Sequence, residues 1–81
     1  MRTKILNELG AGEGGTIIRI NGGVGMVNRL AAMDIRPGTK IRKLNSGLMN
    51  GPVTIEVNRT QIAIGFGIAT RILVEVEDSK Q

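Results

Sequence analysis

The side chains able to do chemistry fall into two groups. Glu56, Glu75, Glu77 and Asp78 are carboxylates, and Glu75 and Glu77 at i and i+2 share one face of an extended segment. Oxygen ligands of this kind suit a hard divalent cation, and a carboxylate pair in a cleft can act as acid and base. Their place on a polar face near the chain end favours a solvated surface over either role. The second group is basic: Arg36, Lys40, Arg42 and Lys43 gather within eight residues, with Arg29 a little before them. Such a group fits phosphate or an acidic protein surface. Histidine and cysteine are both absent, which removes the commonest general base, the commonest transition-metal ligand and every thiolate. No nucleophile with a base and no open metal site can be assembled, so the chain reads as a binding protein rather than an enzyme. Four methionines could hold a soft cation, but Met26 and Met33 fall on an apolar stripe, where packing accounts for them.

The element that must position the basic group is the stretch Gly25 to Gly38, GMVNRLAAMDIRPG. Met26, Leu30 and Met33 recur at i, i+4 and i+7, the spacing of one helical face, and Arg29 projects from the opposite face. Asp34 can take the left-handed position that ends a helix, with Ile35 reaching back to Leu30. Arg36-Pro37-Gly38-Thr39 then places Pro and Gly where a type II turn needs them.

Everything else reads as strand or loop. Met1 to Gly12 is a short apolar lead-in across the open end of a barrel, followed by glycine-rich AGEGG. Thr16 to Asn21 is a strand with Ile18 and Ile20 on one face and Ile17 and Arg19 on the other. Asn21-Gly22-Gly23 is a breaker whose simplest role is to cap the helix. Thr39 to Leu44 is an impure strand in which Thr39, Ile41 and Lys43 share a face, and a bulge or an early exit from the core would explain the pattern. Asn45 to Gly51 is a polar loop that nevertheless carries Leu48 and Met49, which either fold back over the barrel mouth or anchor a partner. Val53, Ile55 and Val57 alternate cleanly with Thr54, Glu56 and Asn58, and Asn58-Arg59 is a two-residue hairpin turn. Gln61 to Ile64 returns, a tight turn over residues 65–69 follows, and Ile72, Val74 and Val76 face inward in the last strand.

Eleven Ile, six Val and twelve Gly in 81 residues favour pleated sheet with many tight turns. The expected fold is all-β, a small SH3-like, partly open β-barrel of about five strands with one short α-helix, forming one domain over residues 1–81. Its core spans about 4–77, and residues 78–81 are a polar tail. No apolar run approaches the roughly 20 residues needed to span a bilayer, and a soluble cytoplasmic protein without membrane insertion is expected. The net charge of +4 favours an acidic partner. Nucleic acid is disfavoured because Phe66 is the single aromatic, leaving no stacking platform.

These residues stand in a recognisable order: Leu6, Leu9 and Gly12, then Gly22-Gly23, then RLAAMDIRPGTKI from Arg29 to Ile41, then Gly51-Pro52-Val53, then Ile62-Ala63-Ile64, and finally Ala69, Ile72 and Val74. The order resembles the ferrous iron transport protein A (FeoA) family over nearly the whole chain. It differs in carrying Asp34 at the helix stop, where the family usually has Gly, and Gly65-Phe66-Gly67 after the Ile-Ala-Ile strand. The resemblance implies an SH3-like barrel and a small cytosolic accessory of a FeoB-type Fe(II) permease, acting by contact with that transporter's cytoplasmic part. Similar domains occur in iron-dependent repressors. No bound cofactor is expected, and Fe(II) finds no convincing ligand set. The candidate partner-binding residues, chosen from charge and loop exposure, are Arg29, Arg36, Lys40, Arg42, Leu48 and Met49. Two other readings stay open: a basic nucleic-acid-binding barrel, and a weak Fe(II) sensor built on Glu75 and Glu77. A spare sheet edge would also permit self-association.

Overall fold

A computed structural model describes residues 2–46 and 51–77. Six antiparallel strands form one sheet: β1 (Arg2–Ile5), β2 (Gly14–Ile20), β3 (Lys40–Ser46), β4 (Val53–Val57), β5 (Thr60–Ile64) and β6 (Ile72–Val76). Their order in space is β1-β6-β2-β3-β4-β5. The last strand therefore lies inside the sheet, between the first two, and β1 and β5 are its edges. The sheet is not closed, which agrees with the partly open SH3-like architecture, with six strands in place of five.

The extra strand is the N-terminal segment. Arg-Thr-Lys-Ile shows no apolar alternation, and it becomes a strand by pairing along β6, Thr3 opposite Glu75 and Ile5 opposite Leu73. A single 3₁₀ turn at Leu6–Glu8 then buries Leu6, and Leu9 follows it into the core. Gly14 and Gly15, expected in a loop, belong to β2. A Cβ on Gly15 would stand 2.6 Å from Val74 Cγ1 and collide with the Glu75 carbonyl, so only glycine lets β2 and β6 lie this close.

The helix α1 covers Val24–Ala31. Its start has no side-chain cap, since Gly23 occupies that position and the Asn21 side chain accepts from Arg19 Nε instead. Its end is as expected. Asp34 has φ 65°, its N–H donates to Ala31 O, and Ile35 N–H donates to Leu30 O at 2.9 Å, the paired bonds of a Schellman stop. Gly38 has φ 96° and Thr39 N–H returns to Arg36 O, completing the Pro-Gly turn. Leu30 is buried, but Met33 is 42% exposed, against the expectation that it shares the buried stripe. The helix ends before Met33, and the reversal at Asp34 sends Ile35, fully buried, into the core in its place. A second, four-residue helix α2 (Phe66–Ala69) replaces the expected tight turn.

Two bulges reset the strand faces. In β2 the pairing with β6 moves from Ile17–Val74 to Arg19–Leu73, so Ile18 is the extra residue. Ile17 is thereby buried and Ile18 is 41% exposed, reversing the emphasis of the simple alternation. In β3 the register with β4 slips at Leu44, between Lys43–Ile55 and Asn45–Thr54. The core is made by Leu6, Leu9, Ile17, Leu30, Ile35, Ile41, Val53, Ile55, Val57, Ile64, Ala69, Ile72, Val74 and Val76.

Candidate functional site

The outer face of the sheet carries rows of charge that its register dictates. Thr16 on β2 lies opposite Lys40 on one side and Glu75 on the other. One row along, Gly14 lies opposite Arg42, which in turn faces Glu56. Since opposite residues in an antiparallel sheet point the same way, Glu75, Thr16 and Lys40 share a face, as do Arg42 and Glu56. Gly14 has no side chain to fill its place. Arg42 accordingly reaches across it, donating to Gly12 O at 2.6 Å and lying 3.7 Å from Glu77.

The result is a groove of about 630 Å³ lined by Gly15, Thr16, Lys40, Ile41, Arg42, Glu56, Asn58, Arg59, Glu75, Val76 and Glu77. Arg59 enters it from the β4–β5 turn, where Asn58 (φ 51°) and Arg59 (φ 69°) both adopt the left-handed conformation of a type I′ hairpin. Among the described residues, Lys40, Arg59, Glu56 and Glu75 lining this groove take part in no ion pair, whereas Arg42 and Glu77 are paired with each other. Free charges of both signs on a rigid sheet suit recognition of a polar partner surface.

Of the residues expected to touch a partner, Lys40 and Arg42 line this groove. Arg29 is exposed on α1, and Arg36 sits at the Pro-Gly turn 3.5 Å from Asp34; neither lines it. Leu48 and Met49 lie outside the described residues. Glu56, Glu75 and Glu77, considered as oxygen ligands, are spread along the groove instead of converging, and no three carboxylates among the described residues are placed to hold a metal. Arg59 was not singled out by its sequence context, because a charged turn residue carries no signal of what lies across from it. Its role follows from the left-handed turn that aims it back over the sheet.

Lys43 departs most from expectation. Grouped with the exposed cations by sequence, it is fully buried, because the strand stays in the core up to the bulge and Lys43 pairs with Ile55 on the inner face. Its ammonium donates to Asn7 O at 3.0 Å and to Leu9 O at 2.5 Å, carbonyls of the 3₁₀ turn and the residue after it. Burial lowers its pKa, an effect that Glu13 opposes and Lys4 reinforces. The side chain of Asn7, whose main-chain oxygen takes that bond, has its Oδ1 buried with no hydrogen-bond partner among the described residues. Glu13 closes the same segment, accepting from Gly10 N–H at 2.8 Å and Lys4 Nζ at 3.3 Å, with Arg2 3.7 Å away. The Gly10 bond chiefly holds its carboxyl below the usual value, burial opposes that, and Lys4 adds to it.

The model of the FeoA domain matches residues 4–76. A Methanocaldococcus jannaschii protein provisionally named Fe(2+) transport protein A is 39% identical over 64 residues, covering 79% of this chain and 76% of its own. The crystal structure of an iron uptake regulatory protein, FeoA, superposes with a TM-score of 0.87 at 36% identity, over 94% of this chain and all of that one. A manganese-dependent transcriptional repressor shares the fold alone, with a TM-score of 0.83 at 21% identity over 93% of this chain and 42% of its own. With a sheet of this topology, a Schellman stop and a Pro-Gly turn where the order of residues requires them, and a family match running from β1 into β6, the chain belongs to the FeoA family.

Proposed function

We propose that this protein is an accessory of ferrous iron uptake that works in the cytoplasm by docking onto the cytoplasmic part of a FeoB-type Fe(II) permease, without catalysis of its own. The observation that carries this reading is the family match over residues 4–76, joined by a relative provisionally named for Fe(2+) transport. The site supports it chemically. The groove offers Lys40 and Arg59 as cations that take part in no ion pair among the described residues, on a sheet whose backbone is already ordered, so docking orders side chains but not main chain. Iron is then the permease's cargo, and the work of this chain is contact.

Binding of the purified permease cytoplasmic domain, followed by calorimetry, tests the reading. Lys40→Glu/Arg59→Glu is expected to weaken binding by roughly tenfold or more, because reversed charges lose the attraction and add repulsion. Leu48→Asp/Met49→Asp separates an apolar anchor at these two residues from the groove. No measurable binding by the unaltered protein, or binding indifferent to both double substitutions, would overturn the proposal.

A further inference from the structure

The two edges of the sheet differ in a way that bears on self-association. β5 reads Thr60-Gln61-Ile62-Ala63-Ile64: uncharged, without proline and without a bulge, none of the usual defences of an exposed edge. β1 carries Arg2 and Lys4 in four residues. In the two-residue hairpin, Val57 and Thr60 form the hydrogen-bonded closing pair, so Ile55–Ile62 and Val53–Ile64 also bond inward. The N–H and C=O groups of Gln61 and Ala63 therefore point away from β4, and among the described residues nothing accepts or donates to them.

We propose that β5 is a self-association edge, its occupant being β5 of a second copy of this chain, antiparallel about a two-fold axis through Ile62. In that register Gln61 of each copy meets Ala63 of the other, exchanging four backbone hydrogen bonds, and the two Ile62 side chains meet on the core side. Ile62 is half-buried and already packs against the core, so the contact extends an existing apolar layer. On the outer face Gln61 and Ala63 bring no charge, and their neighbours on β4 are Glu56 and Thr54, which this register does not set opposite a second Glu56. The same operation at β1 about Thr3 would set Arg2 against Lys4 twice. Glu13 offsets only one of those two cations in each copy, and like charges directly opposite each other are unfavourable, so the uncharged edge β5 is the one compatible with a second copy. The product is one continuous sheet of two copies.

Analytical ultracentrifugation over a concentration series, with amide hydrogen exchange, tests this on the intact chain. The unaltered protein is expected to double in mass with concentration, and the Gln61 and Ala63 amides to slow in step while Thr3 does not. Ala63→Pro removes an outward donor without costing a bond to β4, and is expected to weaken the dimer by roughly tenfold or more. Gln61→Lys/Ala63→Lys, on exposed outward side chains, should abolish it while leaving the fold intact by circular dichroism. A protein that stays monomeric at its highest soluble concentration would overturn the proposal. So would a dimer that survives the double lysine substitution, or one whose concentration-dependent protection falls on β1.

Discussion

The β4–β5 hairpin and the N-terminal arm are both edges of one sheet, yet they are held by opposite means. Val53, Ile55 and Val57 face the core at a period of two and a local type I′ turn sets their register, so every determinant lies within a dozen residues. The arm from Arg2 to Glu13 pairs instead with a strand some seventy residues away and is fastened by one buried ammonium on β3. Apolar alternation and turn chemistry secure the first, and polar contacts distant in sequence secure the second.

Removing the ammonium should break this contrast most severely. Lys43→Met keeps the apolar stem but leaves the Asn7 and Leu9 carbonyls without their donor, with an expected loss of about 3 kcal/mol in urea unfolding. Exchange of the β1 amides should rise far more than exchange in β4, and equal acceleration in both would show that Lys43 is not specific to the arm. In the other direction, Arg59→Gly should stabilise the hairpin by up to about 1 kcal/mol, because glycine adopts the left-handed turn without the penalty arginine meets. Unchanged stability would mean that the strain is already relieved by contacts within the groove.

A pH series probes the arm and its fastening at two ends of the scale. The Glu13 carboxyl titrates below the usual glutamate range in the folded protein, so the stability it adds is fully present above that range and is lost as pH falls through the lower folded value. The stability gap between the unaltered protein and Glu13→Gln should accordingly narrow on acidification, as thermal melts across that range would record. Lys43 adds a second rise of stability with pH, of the same sign but in the alkaline window. Its folded pKa lies below 10.5, so its burial penalty fades as pH rises through the folded value towards 10.5, and Lys43→Met should remove that rise. The smallest effect is expected at Asp34→Gly, within about 0.5 kcal/mol by denaturation. Relief of φ 65° there offsets the loss of an exposed pair with Arg36 and a 3.2 Å bond from Asn58 Nδ2.

The same division explains what could be read without coordinates. Asp34, Pro37-Gly38 and Asn58 act through their own backbones, and the helix stop, the turn and the hairpin followed from them. Lys40 and Arg42, two apart on one strand, were legible as an outward pair. The opposing wall of their groove was not, because Glu75 and Glu77 come next to them only through a register set by β2, and Gly14 matters there for the side chain it lacks. Lys43 misled for a related reason. Its partners are main-chain oxygens, and nothing in a residue's type announces that a carbonyl waits for it. The bulge at Ile18 likewise arises from pairing geometry and leaves no mark on the alternation around it, whereas the impure pattern of Thr39 to Leu44 already pointed to a bulge, which lies at Leu44.

The placement of β6 between β1 and β2 bears on how this protein is made. Until Ile72 to Val76 have left the ribosome, a nascent chain can assemble β2 to β5 but has no seat for its first strand. Arg2–Ile5 are therefore made long before the strand that seats them, and until it arrives they stay within reach of other proteins.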